Sequence, residues 1–234
     1  MVPRYRYRAP RINDRDIDYF MVCRLIDAGQ LEEARVTLNL LERVDKESVT
    51  LRVLQYFMQL NDKMRDSKDT SFVHTTSLPK PLAVAQWRSQ DERLQALYLS
   101  TVKIVGPSGK HSPTGYVLRA LIACYLEQNF ERASALHMEA LKISKVGSPP
   151  FIVSLFEQAF ILLAPENITT DQVKKACEYF LWASEYCPNA YYFLAACQNR
   201  LVATEEFARS TYVYLLKGKE KGSRSCEECV ENIV

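Results

Sequence analysis

Two cysteines three residues apart, Cys226 and Cys229 in the run CEEC, have the spacing of a metal clip or a redox pair. A structural zinc site needs four ligands, and no second pair lies nearby in the chain. Glu227 and Glu228 stand between the two thiols and work against a thiolate at either one. The pair therefore reads as two free thiols in a flexible tail, with metal shared with a partner protein as the alternative. The run GPSGKHS, residues 106–112, points toward a phosphate loop but does not satisfy it. Two residues instead of four separate its glycines, and His111 stands where a magnesium-binding hydroxyl belongs. It reads as a loop between helices. His74, His111 and His137 are scattered, and none has a serine, cysteine or carboxylate at a spacing that makes a catalytic pair. His137 falls on a helical core stripe, the usual place of a structural histidine. The sequence thus presents no enzyme signature, and neither a cofactor nor a metal site is expected. Asn167-Ile168-Thr169 is a glycosylation sequon, without consequence for a protein inside the cell.

The remaining candidate is the run RYRYRAPR. Arg4, Tyr5, Arg6, Tyr7, Arg8 and Arg11 alternate guanidinium and aromatic groups that could pair with phosphates and stack on bases. The same stretch has no acidic residue before Asn13, as a mitochondrial presequence would. It lacks serine, however, and Pro3 and Pro10 interrupt any helix. Without a ligand it is a solvated, disordered arm. The whole chain has 30 basic and 28 acidic residues, a balance of +2, which is weak for a dedicated nucleic-acid binder.

These groups must be positioned by helices. Seven glycines in 234 residues leave few places for hairpin turns, and 47% apolar with 25% charged residues is the composition of a globular domain. Helical periodicity runs over Asp16–Ala28 with Gly29 as its stop, then 31–44, 47–64 and 82–105. It continues over 114–127, 130–144, 151–163, 170–186, 191–202 and 205–216. Residues 66–81 form a polar loop that ends in two prolines. The β-branched run VKIV, 102–105, is the one strand-like spot. The expected organisation is a basic arm over 1–13, a helical domain over 14–217 and a flexible tail over 218–234. Seven cysteines, mostly inside apolar helical patterns, read as buried free thiols of a reducing compartment. No secretory h-region follows Met1, and the apolar runs fall short of the ~20 residues of a membrane span. A soluble intracellular protein is expected, cytoplasmic or nuclear, with the mitochondrial matrix as the alternative.

A recurring stripe organises the helices. Val173, Ala176, Phe180 and Ala183 repeat in phase as Phe130, Ala133, His137 and Ala140, and as Leu31, Ala34, Leu38 and Leu41. Such residues fall on one helix face. The small one admits a neighbouring helix at ~8–10 Å, while the large ones fill its grooves. Pro188 then turns the chain into the next unit.

This row, Ala176, Phe180, Ala183 and Pro188, resembles the second helix of the tetratricopeptide-repeat (TPR) family. GQLEEA at 29–34 and NFERA at 129–133 resemble that family's turn between helices. Ala34 and Ala133 are 99 residues apart, or three periods of roughly 33–34. Ala176 follows 43 residues later, so an insertion of about nine is needed, and APENITT at 164–170 could hold it. Residues 47–105 fit the pattern poorly. The resemblance implies an all-α solenoid of stacked antiparallel helix pairs that acts as a non-enzymatic scaffold, adaptor or subunit of a larger assembly. Its groove would take a partner helix or an extended peptide on first-helix residues. Those residues are Tyr19, Cys23 and Ile26; Leu118, Arg119, Ile122 and Tyr125; and Tyr192, Ala195 and Asn199. Only Arg119 and Asn199 resemble the polar clamp of the chaperone-tail-binding members, so that ligand is not expected.

DAGQLEEA at 27–34 and KVGSPP at 145–150 also resemble the pentatricopeptide-repeat family. That resemblance implies the alternative function, RNA binding in RNA processing or translation. The first helix begins IDYFMV, without the polar base-reading residues this family would place there.

Overall fold

The computed structural model describes residues 14–44, 49–65, 112–125, 127–165, 167–201 and 205–233. The basic arm, the 66–81 loop, the expected helix 82–105 with its VKIV end, and most of the GPSGKHS run lie outside the described residues.

Among the described residues the chain forms ten helices and no strand. They are α1 (Asp14–Asp27), α2 (Leu31–Val44), α3 (Val49–Arg65), α4 (Pro113–Tyr125) and α5 (Phe130–Ile143). The second half comprises α6 (Pro149–Leu163), α7 (Thr170–Ala183), α8 (Ala190–Leu201), α9 (Glu205–Glu220) and α10 (Arg224–Ile233). The expected termini are met within a few residues. Their local causes are visible in the sequence. Gly29 takes φ +79° after α1, where its N–H bonds Ile26 O and the N–H of Gln30 bonds Leu25 O. This double closure needs a left-handed residue, and glycine takes it without a Cβ penalty. Asn129 caps α5 by accepting from the Arg132 N–H at 3.0 Å. Thr169 caps α7 and forms a reciprocal capping box with Gln172.

The helices pack as sequential neighbours: α1 on α2, α4 on α5, α6 on α7 and α8 on α9. Successive pairs meet through α5 and α6 and through α7 and α8. The recurring stripe is the buried face that makes this possible. Ala34, Ala133, Ala140, Ala176, Phe180 and Ala183 are all fully buried, and Leu38, Leu41 and Val173 nearly so. Phe130 departs from the pattern and is exposed, because it is the first residue of its helix and lies at the edge of the contact.

One helix is covered on all sides. Every residue of α6 from Pro149 to Ile161 is buried, and α1, α3, α4, α5 and α7 all pack on it. A helix that is apolar all round needs such a central place. Its Phe156 and Phe160 meet Phe180 of α7 and Phe193 of α8 at ring-centroid distances of 5.3–5.7 Å. These are edge contacts, the arrangement that aligns ring edges with ring faces. Two polar residues that α6 brings inward, Gln158 and Ser154, face partners across the seam on α5. Gln158 donates to Ser134 O at 2.6 Å and accepts from the Ser134 hydroxyl at 2.9 Å. One turn away, His137 Nδ1 lies 3.3 Å from Ser154 Oγ.

The expected flexible tail is corrected by the structure. α9 runs on to Glu220, and Gly222 at φ +87° turns the chain directly into α10. Ser223 caps α10 by accepting from the Cys226 N–H, and its hydroxyl donates to Asn189 Oδ1 at 2.8 Å. Cys226 and Val230 enter the core. The charged run KGKEKGSR had the look of a tail, but Cys226, Cys229 and Val230 follow helical spacing and form one apolar face.

Candidate interaction surface

The residues expected to line a groove are placed mostly in the interior. Tyr19, Cys23 and Ile26 of α1 and Leu118 and Ile122 of α4 are core residues, and Ala195 of α8 is buried too. The reason is that α4 and α6 cover α1, while α5, α6 and α3 cover α4. These side chains therefore hold helices together in this fold and do not face an open groove. Arg119 is half-buried, with its guanidinium 5.9 Å from the centre of the Tyr116 ring. Tyr192 is half-buried against Phe193, ring centres 5.4 Å apart. Tyr125 ends α4 and Asn199 lies on α8, but their side chains are outside the description. Arg4, Tyr5, Arg6, Tyr7, Arg8 and Arg11 lie outside the described residues.

Large exposed apolar groups stand mainly on the second helix of each pair instead. Val36, Leu40 and Val44 lie on α2, Met138 and Ile143 on α5, and Leu181 and Trp182 on α7. The most ordered group is an aromatic ledge where α7 passes the α5–α6 turn. Trp182 and Tyr186 are 44% and 36% exposed. Both set a ring edge against Phe151, with centroid distances of 5.1 and 5.9 Å and interplanar angles near a right angle. Tyr186 also packs against Gly147, which takes φ +74° in the turn; a Cβ there would stand 3.0 Å from the Tyr186 ring. Exposed Val146 and Leu181 flank the ledge. Tyr179, one turn earlier on α7, reaches Met138 Sδ of α5 at 3.5 Å. Tyr179 and Trp182 thus lie at helical spacing on α7 beside the buried stripe, with Tyr186 just past the helix end.

No family model, curated protein or solved structure matches this chain.

His137, Cys226 and Cys229 serve packing, while His74 and His111 lie outside the described residues. His137 is fully buried, and burial lowers its pKa to about 3, so its ring is neutral at physiological pH. Cys226 is buried, which pushes its thiol up to about 11, and Cys229 is raised by burial and by Glu228. Neither is poised as a thiolate. Among the described residues no group of three or more His, Cys, Asp or Glu side chains could hold a metal ion, and no helix is long and apolar enough to cross a membrane.

Trp182 and Tyr186 were within reach of sequence reasoning. Trp182 sits two residues beyond Phe180 on α7, off the buried stripe, and Tyr186 follows in the turn just past the helix end. Large aromatics there have no core to enter.

Proposed function

We propose that this chain is a non-enzymatic protein–protein interaction scaffold, an adaptor or subunit of a larger assembly, built as a TPR-like α-solenoid. The aromatic ledge carries this reading. Trp182 and Tyr186 expose a large part of their surface while Phe151 and Gly147 fix their rings. Rings already held in place lose little conformational entropy when a partner covers them, and Trp and Tyr are enriched among the residues that dominate binding energy. With Leu181 and Val146 beside them, they suit a partner helix or extended segment that contributes its own apolar side chains. The solenoid reading is supported by the buried small-residue stripes and by helix pairs that follow one another in chain order. Seven free cysteines suit an intracellular, cytoplasmic or nuclear setting.

The test is purification of the tagged chain from cell extract, with and without nuclease, beside a Trp182→Ala/Tyr186→Ala variant of unchanged helical content. Proteins that survive nuclease and are lost from the variant support the scaffold. Specific RNA, with proteins lost on digestion, supports the RNA-binding alternative and overturns it.

A further inference from the structure

Val36, Leu40 and Val44 stand out of α2 into solvent, 60%, 55% and 64% exposed. Spaced four residues apart, they form one ridge on the side of the helix away from the buried Ala34, Leu38 and Leu41. Among the described residues α2 packs on α1 and α3, and neither covers the ridge. The charges of α2 give the ridge a direction. Glu32 and Glu33 stand in its first turn and Arg43 in its last. Helical spacing sets Glu33 and Arg43 on the ridge side, about 15 Å apart along the axis, with Val36 and Leu40 between them. The face therefore runs acidic, apolar, basic. The other cation of the helix is engaged elsewhere. The Arg35 guanidinium bonds Asp62 of α3 at 3.0 Å and lies 3.9 Å from Glu32. Thr37 donates its hydroxyl to Glu33 O at 2.9 Å, so it sets no unpaired donor beside the ridge.

We propose that this chain associates with a second copy of itself through α2, the two helices crossing antiparallel.

A face that runs from acidic to basic complements its own reversed copy. A two-fold axis between Val36 and Leu40 brings Arg43 of each copy to Glu33 of the other. The same axis sets Val36 of each beside Leu40 of the other, and Val44 over the other copy's first turn. Ridges of residues four apart on both helices interdigitate in this arrangement. The helix dipoles then oppose, with each basic end against an acidic one. A parallel pairing would set Glu33 against Glu33 and Arg43 against Arg43, which repel. Apolar burial thus drives the contact and the charges choose its direction. One helix pair buries less than the ~1,200 Å² of a permanent interface, so the dimer forms and dissociates with concentration. The ridge lies on a different helix from the aromatic ledge of α7, and the two surfaces act separately.

The experiment is sedimentation velocity of the purified full-length chain from low micromolar to near-millimolar concentration. The expected result is a concentration-dependent shift from monomer to dimer. Leu40→Glu, at an exposed position, should abolish the shift and leave helical content unchanged. Arg43→Glu should weaken the dimer about tenfold or more, because it sets like charges together. Glu33→Arg combined with Arg43→Glu should restore it, since each new pair is again opposite in sign. This exchange decides the matter if the Leu40 variant does not fold. Trp182→Ala/Tyr186→Ala should dimerise as the unsubstituted chain does, so failure of the ledge and failure of this face are read separately. A photo-crosslinker at Val36 should join two copies of the chain, an adduct of twice the chain mass and unlike any made at the ledge. A monomer at every concentration, a dimer that Leu40→Glu leaves intact, an exchange that does not restore pairing, or a Val36 crosslink confined to its own chain would each overturn the proposal.

Discussion

Asp27 Oδ1 accepts two hydrogen bonds from Thr114, from its backbone N–H at 2.9 Å and its hydroxyl at 2.6 Å. Its Oδ2 accepts from the Ser112 hydroxyl at 2.6 Å, and Ser112 Oγ in turn accepts from the Gly115 N–H at 3.1 Å. The last residue of α1 therefore caps the start of α4, 87 positions along the chain. A carboxylate is well suited to this place, because unpaired N–H groups and the positive end of the helix dipole meet there.

Asp27→Ala is expected to cost about 2–3 kcal/mol, since it removes three charge-assisted hydrogen bonds and leaves their donors unpaired. Asp27→Asn should cost less, because the amide keeps one acceptor oxygen. Urea unfolding of the three proteins measures both. A loss below about 0.5 kcal/mol for the alanine variant would show that the contact does not tie α1 to α4.

The small residues of the stripe set how closely helices approach. Ala176 and Ala183 are both fully buried, with no room for a larger group without displacement of a neighbouring helix. Ala176→Leu or Ala183→Leu is expected to destabilise by ~1–3 kcal/mol through overpacking. Thermal melting that matches the unsubstituted chain would contradict the stacked-helix account.

His137 makes stability fall in acid. Its pKa is about 3 in the folded chain and 6.5 as the reference value. Above pH 6.5 the ring is neutral in both states, and its contribution is complete. Between 6.5 and about 3 the unfolded chain binds a proton that the folded chain refuses, and stability drops as pH falls. Below that window both states are protonated and the slope ends. The contribution approaches about 1.4 kcal/mol per pH unit inside the window. Denaturation at a series of pH values should show a shallower acid loss in His137→Leu than in the unsubstituted chain. Parallel profiles would place the histidine elsewhere than in the core.

Gly218 tests the terminal helix. A Cβ at this position would overlap Cys226 Sγ and approach Tyr191 Cβ to 2.9 Å. Gly218→Ala should therefore push α10 away from α9, and amide hydrogen exchange in residues 224–233 should rise while that of α6 stays slow. Unchanged protection of α10 would contradict its docking through Cys226.

The buried stripe was legible in the sequence because small residues at helical spacing have one physical use. Ala34, Ala133, Ala176 and Ala183 were readable for this reason, as was Gly29, which suits a left-handed stop. The face opposite was not legible. Tyr19, Cys23, Ile26, Leu118 and Ile122 are apolar whether they meet a groove ligand or another helix of the same chain, and periodicity alone does not say which. The contacts of α1 and α4 with α6 decide it. The terminal helix was hidden by charge: lysines and glutamates around Cys226 and Val230 suggested a solvated tail, though the apolar residues among them kept helical spacing. Trp182 and Tyr186 stand off the buried stripe in the sequence itself, but their seating against Phe151 and Gly147 could be read only from the structure.

The central claim is that the aromatic ledge binds a partner polypeptide. It is tested most directly by a photo-crosslinking amino acid placed at Leu181, which is 50% exposed beside Trp182, in living cells. The account predicts a discrete protein adduct that disappears with Trp182→Ala/Tyr186→Ala and does not form from the exposed position of Val36. Adducts to nucleic acid, or an identical yield from both positions, would contradict it.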